Sequence, residues 1–327
     1  MNSAAIVNQD ASRHRFRIIL SFALVYVLWG STYLAMRVAV AGIPPYATGS
    51  TRYMISGPLM LLCLALMGRK VRPSRQDLLR LLVIGVLLLS ISNVCVMWAE
   101  EYVPSGLAAL MVALVPIFVA ALEAWVFRVG RMPARALAGL ALGIAGIAVL
   151  LWPKIVSGTR LGRLELLGAA ILTGASLTWS LGSILSHRWT LSVDVFTAAA
   201  WQMTLAGLVN TTIALATGKF QHAHWTPQAV GAIAYLVVCG SWLGFTAYIW
   251  LLEHVPPPKV ATYAYVNPIV AVFLGWLLLS EKVDAFMLAG TVIIIAAVAL
   301  VNTSTLKRDG AIVGAGEAVE TPAVAGD

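Results

Sequence analysis

Ten stretches of about 20 predominantly apolar residues follow one another along this chain, at roughly 18–39, 45–67, 78–99, 104–127, 134–152, 164–186, 194–216, 228–252, 258–280 and 284–303. A bilayer core about 30 Å thick takes about 20 residues of α-helix to cross. The pattern therefore specifies an all-α integral membrane protein of ten spans, with no room between them for a sizeable soluble domain. Composition agrees. Hydrophobic residues make up 60% of the 327 and charged residues 11%, against about 45–50% and about 25% in an ordinary soluble domain. So few charges cannot cover a water-facing surface of this size.

The net charge of +8 does not point to nucleic acid, because the basic residues sit in short clusters between the apolar runs. Cys63, Cys95 and Cys239 lie inside apolar runs with no partner at metal-ligand spacing, so neither a disulfide nor a metal site is expected. Arg13, Arg15 and Arg17 precede the first run as they would in a signal peptide. That run, however, continues to Val40 and includes Arg37, which is too long and too polar for a cleaved segment.

Lysines and arginines fix an expected orientation. Arg13 to Arg17, Arg69 to Arg80, Arg128, Arg131, Arg135, Arg188, Lys259, Lys307 and Arg308 fall on one side. Only Lys154, Arg160, Arg163, Lys219 and Lys282 fall on the other. The positive-inside rule then places both termini in the cytoplasm, with the bias carried mainly by the first half.

The two halves also overlay on each other. At an offset of 150, Trp29 falls on Trp179 and Gly57 on Gly207. At 152, Trp98 falls on Trp250, Glu101 on Glu253, Val103-Pro104 on Val255-Pro256, and Pro116 on Pro268. A shared run of Trp, Glu, Val-Pro and a later Pro marks an internal duplication. The expected organisation is a tail at 1–17, a five-helix repeat at 18–152, a linker at 153–163, a second repeat at 164–303 and a disordered tail at 304–327. An odd number of spans per repeat makes the second enter the membrane from the opposite side, a construction common in secondary transporters.

The segment Trp29-Gly30-Ser31-Thr32-Tyr33 resembles the first-helix signature of the drug/metabolite transporter superfamily, EamA type. Ala261 to Val272, running on to Gly275-Trp276 and Glu281, resembles its ninth-helix pattern, and Glu101 with Val103 to Ala109 its helix 3–4 junction. The likeness spans about 18–303 and is strongest to bacterial inner-membrane exporters of aromatic and neutral amino acids and other metabolites. It implies ten helices around a central cavity and transport without ATP. In keeping with this, no phosphate-binding Gly-x-x-x-x-Gly-Lys-Ser/Thr occurs.

Polar and aromatic residues inside the spans supply the candidate site. Trp29 and Tyr33 share a helix face, as do Asn93 and Met97 with Trp98 beside them, Trp179 and Ser183, Trp242 and Thr246, and Tyr263 and Asn267. Together they would make an aromatic pocket with a few amides and hydroxyls, suited to a small solute with an apolar side chain. Interfacial belts or helix packing are the competing role, and the better one for Trp250 and Trp276. Arg37, Arg52, Glu100 and Glu101 are expected at one level near the outer ends of their helices. As a cluster they would bind a substrate carboxylate or gate the outer mouth; as salt-bridged, snorkelling pairs they would fix helix packing, the more economical reading. Pro116 and Pro268 each remove a helical hydrogen bond, giving a hinge or a passive kink. The expected function is export of small amphipathic metabolites, foremost neutral or aromatic amino acids, by alternating access. A drug or nucleoside exporter is the alternative, and a lipid enzyme or scaffold a remote one. The small-molecule substrate and the bilayer are the expected partners of a monomer, with no catalytic residue, cofactor, metal or nucleic acid.

Overall fold

A computed structural model describes residues 3–128, 134–157 and 160–300. Arg131, Lys307, Arg308 and the 304–327 tail lie outside the described residues, as do the last positions of the tenth expected span. The described residues are helical and contain no strand. In chain order they form α1 (Ser3–Val40), α2 (Pro45–Leu66), α3 (Arg75–Gly85), a π-helical segment (Val86–Ser92), α4 (Asn93–Ala99), α5 (Ser105–Val112), α6 (Val115–Trp125) and α7 (Ala134–Ser157). These are followed by α8 (Arg160–Arg188), α9 (Val195–Ala216), α10 (Pro227–Tyr235), a second π-helical segment (Leu236–Phe245), α11 (Thr246–His254), α12 (Pro257–Val260), α13 (Tyr263–Leu279) and α14 (Ala285–Leu300).

Six helical stretches among the described residues are long and apolar enough to cross a membrane: Arg13–Val40, Arg75–Ala99, Ser105–Trp125, Ala134–Ser157, Gly162–Arg188 and Pro227–His254. Val266–Leu279 and Ala285–Leu300 are apolar but shorter. α2 and α9, of 22 residues each, are less apolar because they bury polar groups, among them Arg52 in α2 and Gln202 and Asn210 in α9.

Local signals recur at the duplication offset. Ser74 caps α3 by accepting from Asp77 N–H, and Thr226, 152 positions later, caps α10 by accepting from Ala229 N–H. Each hydroxyl satisfies a donor that a helix start leaves unpaired. The two π segments begin 150 positions apart, at Val86 and Leu236. The left-handed residues pair in the same way: Gly68 (φ 74°) with Gly218 (φ 63°), and Arg128 (φ 53°) with Ser280 (φ 54°).

The tightest packing joins α2 to α9, the equivalent helices of the two halves. A Cβ on Gly57 would lie 2.4 Å from Thr204 N, and one on Gly207 would lie 2.9 Å from Met54 N. Because 54 and 57 stand to 204 and 207 at one offset, the two contacts are reciprocal. Ser50 and Thr211 hydroxyls meet at 2.6 Å one level away. The partners retreat along α9 as they advance along α2, so the helices cross antiparallel. Small residues let the backbones approach this closely. Around this pair, α1 packs on the second π segment and α13, while α8 packs on the first π segment, α5 and α6. The first helix of each half thus lies against the third and fourth helical stretches of the other, and the core lies between the halves.

Candidate functional site

Four aromatic rings meet where the halves interlock. Trp29 from α1 and Trp179 from α8, the pair related by the offset of 150, touch edge to face with centroids 5.4 Å apart. Tyr248 from α11 packs on both, at 4.7 Å from Trp29 and 5.4 Å from Trp179, and Tyr263 from α13 lies 5.6 Å from Trp29. Hydrogen bonds lock the arrangement. Trp179 Nε1 donates to Tyr248 Oη at 2.9 Å, Ser183 Oγ lies 2.6 Å from the same oxygen, and Trp29 Nε1 donates to Gly240 O at 3.2 Å. Edge-to-face aromatic pairs add about 0.5–1.5 kcal/mol beyond the area they bury, so this is a stiff wall.

The wall borders a cavity of about 50 Å³, whose lining includes Trp29, Tyr33, Trp179 and Tyr263 together with Arg52 and Asn93. That space suits a few water molecules. Gly240 and Phe245, five residues apart, both line it from the second π segment, and Leu89 and Ser92 line it from the first. A π turn carries i→i+5 bonding and is frequent at functional sites. Here it brings residues of that spacing to one face.

Arg52 also lines the cavity and is 4% exposed. Its Nε donates to Ser241 Oγ at 2.9 Å and its Nη1 to Asn93 Oδ1 at 3.2 Å. Tyr53 Oη donates to the same Asn93 oxygen at 2.8 Å, and the guanidinium carbon lies 4.9 Å from the Tyr53 ring centroid. Gly240 makes room for the group, since a Cβ there would fall 2.7 Å from Arg52 Nη2.

The EamA-like transporter family matches residues 16–152 and again residues 166–303. The chain belongs to the EamA-like transporter family. Through it the protein is a membrane transporter of the drug/metabolite transporter superfamily. The "Uncharacterized inner membrane transporter YedA" of Escherichia coli strain K12 is 37% identical over 296 residues, covering 88% of this chain and 92% of YedA. The "Probable terminal-alkyne amino-acid exporter" of Streptantibioticus cattleyicolor is 26% identical over 292 residues, covering 89% of this chain and 95% of that protein. A solved crystal structure overlays with a TM-score of 0.64 at 17% identity, covering 87% of this chain and 96% of that one.

In this EamA-family chain the sequence-derived candidates separate into groups. Trp29, Tyr33, Asn93, Trp179 and Tyr263 come together at the cavity. Ser183 stands behind it and holds Tyr248. Met97, Trp98, Trp242, Thr246 and Asn267 are not among the lining residues. Met97 is fully buried, Trp98 packs on Tyr102 at 5.0 Å, Trp242 Nε1 donates to Ser56 O, Thr246 faces Met60, and Asn267 is 2% exposed with its amide unpartnered. Tyr53, Gly240 and Tyr248 belong to the site and escaped the sequence reading. A helix drawn through 228–252 with regular spacing turns Trp242 and Thr246 inward, and the π segment rotates the face toward Gly240, Phe245 and Tyr248.

The four charges expected at one level divide. Arg52 is in the cavity wall. Glu100 is fully buried with neither oxygen hydrogen-bonded, and the charges that act on it are Arg37 and Glu281. Glu281 in turn accepts from Ser105 N at 2.9 Å, Ser105 Oγ at 3.0 Å and Gly106 N at 3.4 Å, an anion on the start of α5. A recess of about 460 Å³ opens beside Arg37 and Glu281. In the turn after α4, burial pushes the Glu101 carboxyl above its usual range, against the Tyr102 hydrogen bond and the Lys219 and Arg37 charges. The two prolines also differ. Pro116 sits in the first turn of α6, just after the break at Ala113–Leu114, where its missing N–H costs nothing. Pro268 lies inside α13, and the helix continues through it.

Proposed function

We propose that this chain is a secondary transporter of the bacterial inner membrane that exports small amphipathic metabolites, foremost neutral and aromatic amino acids, by alternating access. Its ten spans form two five-helix repeats of inverted topology, with both termini cytoplasmic. The observation that carries the reading is the contact of Trp29 with Trp179. Equivalent residues of two repeats touch only at a local two-fold axis, and here that axis runs beside a cavity. The reciprocal contact of Gly57 and Gly207 across antiparallel α2 and α9 supports the same symmetry. Inverted repeats of this kind bind their solute near the midplane and rock about it.

The chemistry of the cavity sets the solute class. Aromatic faces accept an apolar side chain, and Arg52, Asn93 and Tyr53 supply polar contact within the same lining. The amino-acid exporter among the relatives supports this class, and the name of the Escherichia coli relative supports the membrane. At about 50 Å³ the cavity offers too little space for an amino acid, so in this reading it widens as the halves rock. A buried cation in the wall disfavours the alternative of cationic drugs.

Purified protein in liposomes, tested for uptake of radiolabelled Phe, Met and Thr and of a cationic dye, with and without a pH gradient, decides the matter. Movement of Phe or Met is expected, and Trp179→Ala should cut it by about tenfold or more, the loss of about 1.4 kcal/mol of binding. If no amino acid moves, the reading is wrong.

A further inference from the structure

We propose that Arg52, set by Asn93, Ser241 and Tyr53, is a carboxylate-binding subsite that takes the anionic end of the solute while the aromatic wall takes its apolar body. The inference rests on the transport reading for the cavity itself and adds the group by which the solute is recognised. Its basis is an imbalance of donors over acceptors. A guanidinium carries five N–H donors, and the contacts among the described residues use Nε and one Nη1 hydrogen. Both acceptors are uncharged. No carboxylate among the described residues lies within ion-pair distance of Arg52.

The neighbours are arranged so that none of them can supply the missing anion. Asn93 Oδ1 is occupied twice, by Arg52 and by Tyr53 Oη, which leaves its NH₂ as the free edge. That adds further donors beside the guanidinium. The charges that act on the buried carboxylate Glu100 are Arg37 and Glu281, and Arg52 is not among them. Gly240 keeps the space next to Nη2 clear. At the position equivalent to Arg52 in the second half stands Gln202, neutral, fully buried and not in the cavity lining. The cavity lining therefore holds one cation among its aromatic rings, which gives a single carboxylate one place to bind.

A buried charge is costly unless it is paired. Arg forms two parallel bonds to a carboxylate, the strongest such pairing available to it. The solute class this selects is a monocarboxylate on a small apolar or aromatic body, amino acids included.

The test uses the full chain in nanodiscs, with binding read by thermal shift and by tryptophan fluorescence. The probes are L-phenylalanine, 3-phenylpropanoate, which keeps the carboxylate, and phenethylamine, which lacks it. The first two should bind and phenethylamine should not. Arg52→Gln should weaken the two carboxylates by about 10–100-fold, the worth of hydrogen bonds to a charged group. Arg52→Lys should retain part of the binding. Should Arg52→Gln fail to fold, Asn93→Asp keeps the cation and places a carboxylate against it. That variant should melt higher than wild type and no longer respond to 3-phenylpropanoate. Equal responses to 3-phenylpropanoate and phenethylamine, no response to any probe, or an unchanged probe ratio in the variants would overturn the subsite. Failure of the transport reading looks different: Arg52-dependent binding of 3-phenylpropanoate with no uptake of Phe into liposomes.

Discussion

Tyr248 shows how much a single side chain settles in this site. Its hydroxyl meets Trp179 Nε1 and Ser183 Oγ, and its ring packs between Trp29, Trp179 and Tyr263. Tyr248→Phe keeps the ring and removes the oxygen. Ser183 retains its bond to Trp179 O at 2.7 Å, but Trp179 Nε1 is left buried without that acceptor, at a cost of about 1–3 kcal/mol. Thermal unfolding in detergent should show a lower midpoint, and Phe uptake should fall because the indole is free to turn. An unchanged midpoint with unchanged uptake would mean that the hydroxyl is idle. The sequence singled out Trp29, Trp179 and Tyr263 as pocket candidates, because indoles and phenols at helical spacing mark an amphipathic face, and the structure brings the three together. It could not single out Tyr248, whose direction depends on the π turn before it.

At the level of elements, the α2–α9 crossing and the two π segments make the frame that holds the cavity. The crossing is tight against backbone atoms, which cannot move aside as a side-chain tip can. Gly57→Val puts a Cβ 2.4 Å from Thr204 N, so the helices must separate. Overpacking of this kind costs about 1–3 kcal/mol and occasionally more. Gly231→Ala is the matched control, since nothing lies within 4 Å of the new carbon, and it should be neutral or slightly stabilising by helix propensity. Melting midpoints of the two variants in one detergent compare them directly. An equal effect of both would show that the close approach is not what holds the crossing. The periodic apolar pattern made these helices legible in the sequence. The π segments were not: Val86–Ser92 contains neither proline nor glycine, Leu236–Phe245 contains Gly240 and Gly244 but no proline, and glycine at these positions does not by itself specify an extra residue per turn.

For the whole molecule, the proposed inverted topology makes a prediction that needs no substrate. The loops after α2 and α9 are equivalent, beginning at Gly68 and Gly218, yet the proposed inversion would put them on opposite faces of the membrane. With Cys63, Cys95 and Cys239 replaced by Ala, Lys219→Cys should react with a membrane-impermeant maleimide added to intact spheroplasts. Lys70→Cys should react only after lysis. Labelling of both from one side would refute the inversion and, with it, alternating access about a two-fold axis. The sequence by itself determined that the chain lives in a membrane, that it is duplicated and which family it joins, because apolar length, repeated residues at fixed offsets and short motifs are properties of the linear chain. Only the tertiary structure decided that Trp29 and Trp179 touch, that Arg52 lines the cavity while Arg37, Glu100 and Glu101 do not, and that Trp98 and Trp242 are not in its lining. Those outcomes depend on the rotation of each helix about its axis, which is set by close approaches such as Gly57 to Thr204 and by the π turns, and neither is written in the spacing of apolar residues.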